Sequence, residues 1–258
     1  MATISLDPRR EESDSVAEAA APWRFRHGWA IVLVVGLCLV SIWLGQSVLS
    51  AVHASREHRC KAHLQLLRRG FDAYHQEHGH FPAPYTTDHE GRPLLSWRVT
   101  LLPHLGRRDL FDRFHHDEPW DSPHNRALLP EIPKALVCPE AGGFETGFLV
   151  VVGPKTDLGS LNTPFEPGRG VDRREITDGT SQVILVAEAE RRVPWTCPDD
   201  LAFGPGRPLP RLGERHPSGP SVLMADGTVR SLPPTILPQV FRAVLSINGG
   251  EVVDGGAG

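Results

Sequence analysis

The sequence predicts an α+β protein in which one long N-terminal helix packs on an antiparallel β-sheet, with short extra helices between. Three observations carry this. Residues 28–52 contain no Asp, Glu, Lys, Arg or His. Beyond them Cys60, Leu64, Leu67, Phe71 and Tyr74 recur at 4-3-4-3 spacing, which sets them on one face of a helix. After Pro130 the helical period gives way to short apolar runs bounded by Gly, Pro and Asp, the pattern of strands. Helix first and sheet later is the order of an α+β chain.

Taken in order, residues 1–27 form a polar tail with Glu11, Glu12, Asp14 and Glu18, a composition that predicts disorder. Residues 28–52 form a transmembrane helix, since about 20 mainly apolar residues suffice to cross a bilayer. A cleaved signal peptide fits poorly, because its apolar region is usually only about 7–15 residues long. Trp29 and Trp43 stand near the two ends, where interfacial aromatics belong. Flanking charge does not orient the span: Arg9, Arg10, Arg24 and Arg26 oppose Arg56, Arg59, Lys61, Arg68 and Arg69. The helix continues to about residue 78, because 55–78 holds no Pro and Gly70 is its only Gly. Gly79 followed by Phe81-Pro82 ends it. A helix of about 50 residues would be roughly 75 Å long.

Residues 53–258 make up the exported domain. A loop over 82–93 leads to a short helix at about 95–102, with Ser96 as N-cap and Trp97, Leu101, Leu102 and Leu105 inward. Pro103 ends it. A second short helix over 108–115 buries Leu110, Phe111 and Phe114, and a loop over 117–125 places Trp120 inward. Strands are expected at 135–138, 148–152, 182–187 and 221–225. Asp178-Gly179 and Asp226-Gly227 are turn signals, the second joining 222–224 to 229–232 as a hairpin. Residues 190–220 read mostly as Pro, Gly and Arg loops. A helix over 237–247, with Val240, Phe241, Val244 and Leu245 inward, closes the chain before Asn248-Gly249-Gly250.

Composition narrows the function classes. A net charge of −4 with no basic stripe gives no footprint for nucleic acid. The 24 prolines in 258 residues, about twice the usual 5%, indicate a loop-rich domain. Of four cysteines, Cys38 lies in the span; for Cys60, Cys138 and Cys197, one disulfide and one thiol is the simplest count in an exported domain. Neither a nucleophile elbow, nor a P-loop, nor a dinucleotide fingerprint, nor a zincin motif is present, so no catalytic residue, no metal ligand and no cofactor is expected. His75, His78 and His80 have a spacing zinc accepts, but at a helix end they read as solvated. Asp178 and Asp226 have the chemistry for calcium, and read as turn residues. His216 and Asp226 lack a nucleophile at any recognisable spacing, so a structural hydrogen bond is the expectation.

Several stretches together carry a resemblance: 55–67 around Cys60, Gly79-His80-Phe81-Pro82, Leu95-Ser96-Trp97-Arg98, 117–125, Cys138-Pro139, Gly153-Pro154, Asp178-Gly179 with Glu188-Ala189, 193–196 and 248–253. So does His216, nine residues, then Asp226-Gly227. The chain resembles the bacterial prepilin-like family known as domain of unknown function 1559 over 51–253. The resemblance implies a pilin-like or pseudopilin-like architecture, a cell-envelope location and no known activity. It implies as partners the membrane and other pilin-like subunits or secretion machinery. In its context Cys60 and Cys138 are expected to form a disulfide pinning helix to sheet, with Cys197 left over. The chain departs from the family at the leader: Gly28-Trp29 is the nearest processing site, and it puts Leu33 where a Glu belongs. The expected role is that of a non-enzymatic, single-pass envelope protein with most of the chain outside the cytoplasm. The alternative is a monomeric surface module that binds an extracellular ligand such as a glycan through Trp120 and Trp195.

Overall fold

The computed structural model describes residues 23–137, 143–154, 163–213 and 216–250. The chain divides into two units, Met1–Val52 and His53–Gly258. In the first, helix α1 (Trp23–His78) begins. Every side chain over 29–52 is exposed, although most are apolar. The hydroxyls of Ser41 and Ser47 bond back to the carbonyls of Leu37 and Trp43, at 2.8 and 2.9 Å. These polar groups are therefore satisfied within the helix, as an apolar surrounding requires. This helix is long and apolar enough to cross a membrane.

The second unit is built on the remainder of α1. Cys60, Leu64, Leu67 and Phe71 are at most 1% exposed, and Tyr74 packs at the margin of the same core. Gly79 ends the helix in the left-handed conformation (φ 79°), its N–H bonded to the His75 carbonyl. Strands β1 (Tyr85–Thr87) and β2 (Pro93–Ser96) pair antiparallel. The helical turn α2 (Trp97–Thr100) follows, with the Ser96 hydroxyl accepting from the Arg98 N–H as its cap. A 3-10 turn at Leu102–Leu105 lies against α1, close enough that a Cβ on Gly70 would stand 2.8 Å from Leu105 Cδ2. The short helices α3 (Arg108–Phe111) and α4 (Pro123–Arg126) bring Leu110 and Asn125 into the core.

The sheet strands are β3 (Glu145–Val152), β4 (Phe165–Glu166), β5 (Arg169–Gly170), β6 (Ile184–Pro194), β7 (Leu201–Ala202), β8 (Ser221–Met224) and β9 (Val229–Ser231). The order is β5-β4-β3-β6-β8-β9, with β7 also on β3. The sheet is mixed: β3 pairs antiparallel with β6 but parallel with both β4 and β7. Helix α5 (Pro238–Ala243) closes the described chain.

Side-chain alternation explains the layering. Phe148 and Val150 of β3 face the α1 side, with Leu64, Phe71 and Trp97. Leu149 and Val151 face the other side, with Phe241, Val244 and Leu245 near α5. A register irregularity between Ile184 and Val186 lets Leu185 and Val186 both join the α1 side. Both faces of the central strands are thus covered, and six consecutive residues of β6 are buried.

Several expectations are corrected. Residues 135–137 are not a strand: Lys134–Leu136 is a 3-10 turn entered through Pro133, and Cys138 lies outside the described residues. The helix over 108–115 is confined to Arg108–Phe111, and turns carry the chain on to Phe114. The helix over 237–247 is confined to Pro238–Ala243, because Pro238 fixes its start. Strand β6 runs on to Pro194 through part of the expected loop region. The β8–β9 hairpin lies where its Asp-Gly turn places it.

The buried guanidinium of Arg98 ties these pieces together. It donates to Asp200 Oδ1 at 2.6 Å, to the Phe148 carbonyl at 3.0 and 3.2 Å, to Ser96 Oγ at 2.6 Å and to the Cys197 carbonyl at 3.3 Å. Asp200 Oδ1 also accepts from Trp97 Nε1 and the Val150 N–H. Removing one partner of such a pair strands a buried charge. Asp200→Ala should therefore cost about 3–5 kcal/mol in urea unfolding of the detergent-solubilised chain. The double change Arg98→Met with Asp200→Leu should cost less than Asp200→Ala alone. A second prediction concerns Gly170, where a Cβ would meet the Phe81 carbonyl oxygen at 2.0 Å. Since the obstruction is backbone, Gly170→Ala should destabilise by about 1–3 kcal/mol, read in the same assay.

Candidate functional site

Three potential ligand side chains from distant parts of the sequence converge inside the second unit. Cys60 comes from the apolar stripe of α1. Glu188 comes from the buried run of β6, on the α1 face. His216 comes from the turn before β8. Their ligating atoms lie within 4.8 Å of one another, and all three residues are buried. Cys60 Sγ donates to Glu188 Oε1 at 3.9 Å, and His216 Nε2 stands 3.4 Å from Glu188 Oε2. The Ser221 N–H reaches the same Oε2 at 3.4 Å.

Local structure holds each member in place. Leu64, one turn after Cys60, is fully buried, which fixes the rotation of α1. The carbonyl of Glu188 accepts from the Gly213 N–H at 2.8 Å, and Ala189 bridges Leu212, so the segment leading to His216 runs along β6. The Gly219 N–H closes a turn onto the His216 carbonyl at 2.9 Å. His216 also lines an open groove of about 750 Å³, with Arg211, Pro217, Pro220, Leu232 and Phe241. Of the three, His216 alone lines this groove, although its side chain is only 1% exposed.

The sequence motif that pairs His216 with Asp226 does not become a contact among the described residues. Asp226 Oδ1 accepts from the Thr228 N–H and hydroxyl, both at 2.8 Å. Gly227, at φ 91°, packs so near α1 that a Cβ would stand 2.7 Å from Arg68 Nε. Asp226-Gly227 is thus a turn pressed on the helix, and the expected His216–Asp226 hydrogen bond gives way to the proximity of His216 to Glu188. The Cys60–Cys138 pairing rests on a residue outside the described ones.

The other candidates are accounted for locally. His75 Nε2 lies 3.4 Å from Asp172 Oδ1, and burial lowers its pKa. His78 stacks on Tyr74, and His80 Nδ1 contacts the Phe81 carbonyl. The structure instead groups His78 with Glu77 and His104, at the surface. Asp178 accepts from the Gly249 and Gly250 N–H groups at 2.7 and 3.1 Å, so it caps the chain near α5. Trp195 is fully buried, with Nε1 donating to the Leu129 carbonyl, and Trp120 is half-buried.

Sequence reasoning missed Glu188 as a site residue. Its signal is a carboxylate inside an apolar strand, in Val183-Ile-Leu-Val-Ala-Glu-Ala189. A charge there must find a partner.

The geometry defines an α+β domain that follows an apolar N-terminal segment in the chain and holds a buried Cys-Glu-His cluster. Residues 50–173, a little under half of the 258-residue chain, match a family model described as a protein of unknown function (DUF1559). That segment includes Cys60 and Arg98, and it ends before Glu188, Asp200 and His216. No curated protein and no solved structure matches the chain.

One turn before Cys60, Glu57 bonds Lys61 Nζ at 2.6 Å and Ser231 Oγ at 3.2 Å, linking α1 to β9. The Lys61 bond, aided by Ser218 and Ser231 against partial burial, lowers its pKa from 4.5 to about 2. A depressed carboxylate contributes stability above its unfolded pKa and loses it as pH falls through the folded one. The stability difference between wild type and Glu57→Gln should therefore be full above about pH 5. It should shrink between about 4.5 and about 2, as read from thermal unfolding across a pH series.

Proposed function

We propose that the chain is a member of the DUF1559 family with pilin-like architecture, serving as a single-pass envelope anchor that displays its second unit outside the cytoplasm. The role is structural or interactive rather than enzymatic. One observation carries the reading. A run of exposed, uncharged, apolar helix over 29–52 passes without interruption into a stretch whose Cys60, Leu64, Leu67 and Phe71 stripe is covered by the domain. A helix with no polar face needs lipid, and a helix with one apolar stripe needs a protein partner. α1 presents both in succession.

The partners proposed are the membrane and other pilin-like subunits or secretion machinery, with no nucleic acid at a net charge of −4. Leu33 bears on the mode of assembly. A carboxylate at that place would be costly in lipid unless paired with a neighbouring chain's amine. With leucine there is no such group to pair, which favours a static anchor over a processed filament subunit. The surface-module reading loses one of its two indoles, because Trp195 is fully buried.

Membrane fractionation and mass analysis test the proposal together. The chain should stay with membranes through alkaline carbonate and leave them only in detergent. Protease added to spheroplasts should remove the second unit, and the intact mass should show no cleavage between Gly28 and Trp29. Release by carbonate, or protection of the second unit from external protease, would overturn the anchor reading. A chain starting at a methylated Trp29 would replace it with a processed subunit.

A further inference from the structure

We infer that Cys60, Glu188 and His216 form a zinc site that fastens α1 to β6 and to the turn before β8. Both ring nitrogens of His216 lack a hydrogen-bond partner among the described residues, although its side chain is 1% exposed. Its Nε2 comes to 3.4 Å from Glu188 Oε2 without the geometry of a hydrogen bond. A buried imidazole held in this way costs free energy. An ion between the two would bind both.

The donor set selects the ion. A thiol, an imidazole and a carboxylate suit zinc, whereas calcium and magnesium take oxygen ligands. Tetrahedral zinc with bonds of about 2.0–2.3 Å holds its ligand atoms roughly 3.3–3.7 Å apart. The observed separations are 3.4 Å for His216 to Glu188 and 3.9 Å for Cys60 to Glu188. With all three ligand atoms within 4.8 Å of one another, closing them on one ion needs an inward adjustment of side chains on the order of 1 Å.

Charge closes the case. On binding, the Cys60 thiol loses its proton to solvent as the zinc–sulfur bond forms. Thiolate and carboxylate then carry two negative charges and zinc two positive ones, with the imidazole neutral. The assembly placed in the core is neutral overall, which burial favours. His216 is the member of the set that borders the open groove, and the fourth position falls to a water.

The test uses the full chain in detergent, stripped with a chelator and dialysed against zinc alone or cobalt alone. Wild type should retain about one zinc per chain, and the cobalt form should show a thiolate-to-cobalt charge-transfer band. Cys60→Ser, Glu188→Gln and His216→Ala should each lower retained zinc at least about tenfold. Circular dichroism checks that each variant is folded. His104→Ala, which alters the separate Glu77-His78-His104 group, should leave zinc content unchanged. The cobalt spectrum needs no variant, so a misfolding substitution does not blunt the test. The proposal is overturned if wild type retains no zinc, if its cobalt form lacks the thiolate band, or if zinc is lost only in His104→Ala. Recovery of Cys60 in a disulfide from the native protein overturns it as well.

Discussion

A positive charge held at zero exposure sets the terms for the second unit. Arg98 reaches Asp200, the Phe148 carbonyl, Ser96 and the Cys197 carbonyl from one planar group. These belong to β2, to β3 and to the segment between β6 and β7. A guanidinium can satisfy so many acceptors because its donors are fixed in a fork. The same rigidity means that the acceptors must already be in place. The buried pair is costly in the abstract, and its worth lies in admitting one arrangement of helix, sheet and loop. The stacking of Trp97 under the guanidinium, 4.7 Å away, belongs to the same arrangement.

The Cys60-Glu188-His216 cluster lies on the same α1 face of the sheet, and the same logic applies there. Polar groups sit among apolar ones, and each is delivered by a different element. The two clusters differ in degree: around Arg98 only Asp200 Oδ2 lacks a partner among the described residues, whereas both ring nitrogens of His216 do. Four of the groups around Arg98 are bonded directly to it. His216 reaches its neighbour without bonding it. Buried networks rigidify a fold when satisfied, and a buried polar group left unpaired is costly.

Much of the fold was legible because period and punctuation survive in the sequence. The 60–74 stripe, the Gly79 stop, the Ser96 cap, the core of β3 and the Asp226-Gly227 hairpin each follow from a local rule. Most of what escaped has no local rule. Strands β4, β5 and β7 are two residues long, too short for any alternation. Their pairing with β3 or with each other is decided by tertiary contact. Residues 135–138 look like a strand by composition, whereas Lys134–Leu136 is a 3-10 turn entered through Pro133. The role of Arg98 was hidden because its partner stands 102 residues away. The site was half visible: Cys60 and His216 stood out, while Glu188 passed as part of a family-like stretch. His216 was assigned the wrong neighbour, since a fixed spacing to Asp226 says nothing of which way either side chain turns.

The borders of the sheet carry a consequence for assembly. Among the described residues it ends at two-residue β5 on one side and three-residue β9 on the other. Edges this short offer a stray strand few backbone groups to grip. Growth by adding strands from copy to copy is thereby discouraged. If such chains gather in a membrane, the sheet will not zip them together, and their crowding will be governed by what their apolar helices and looped surfaces prefer to touch.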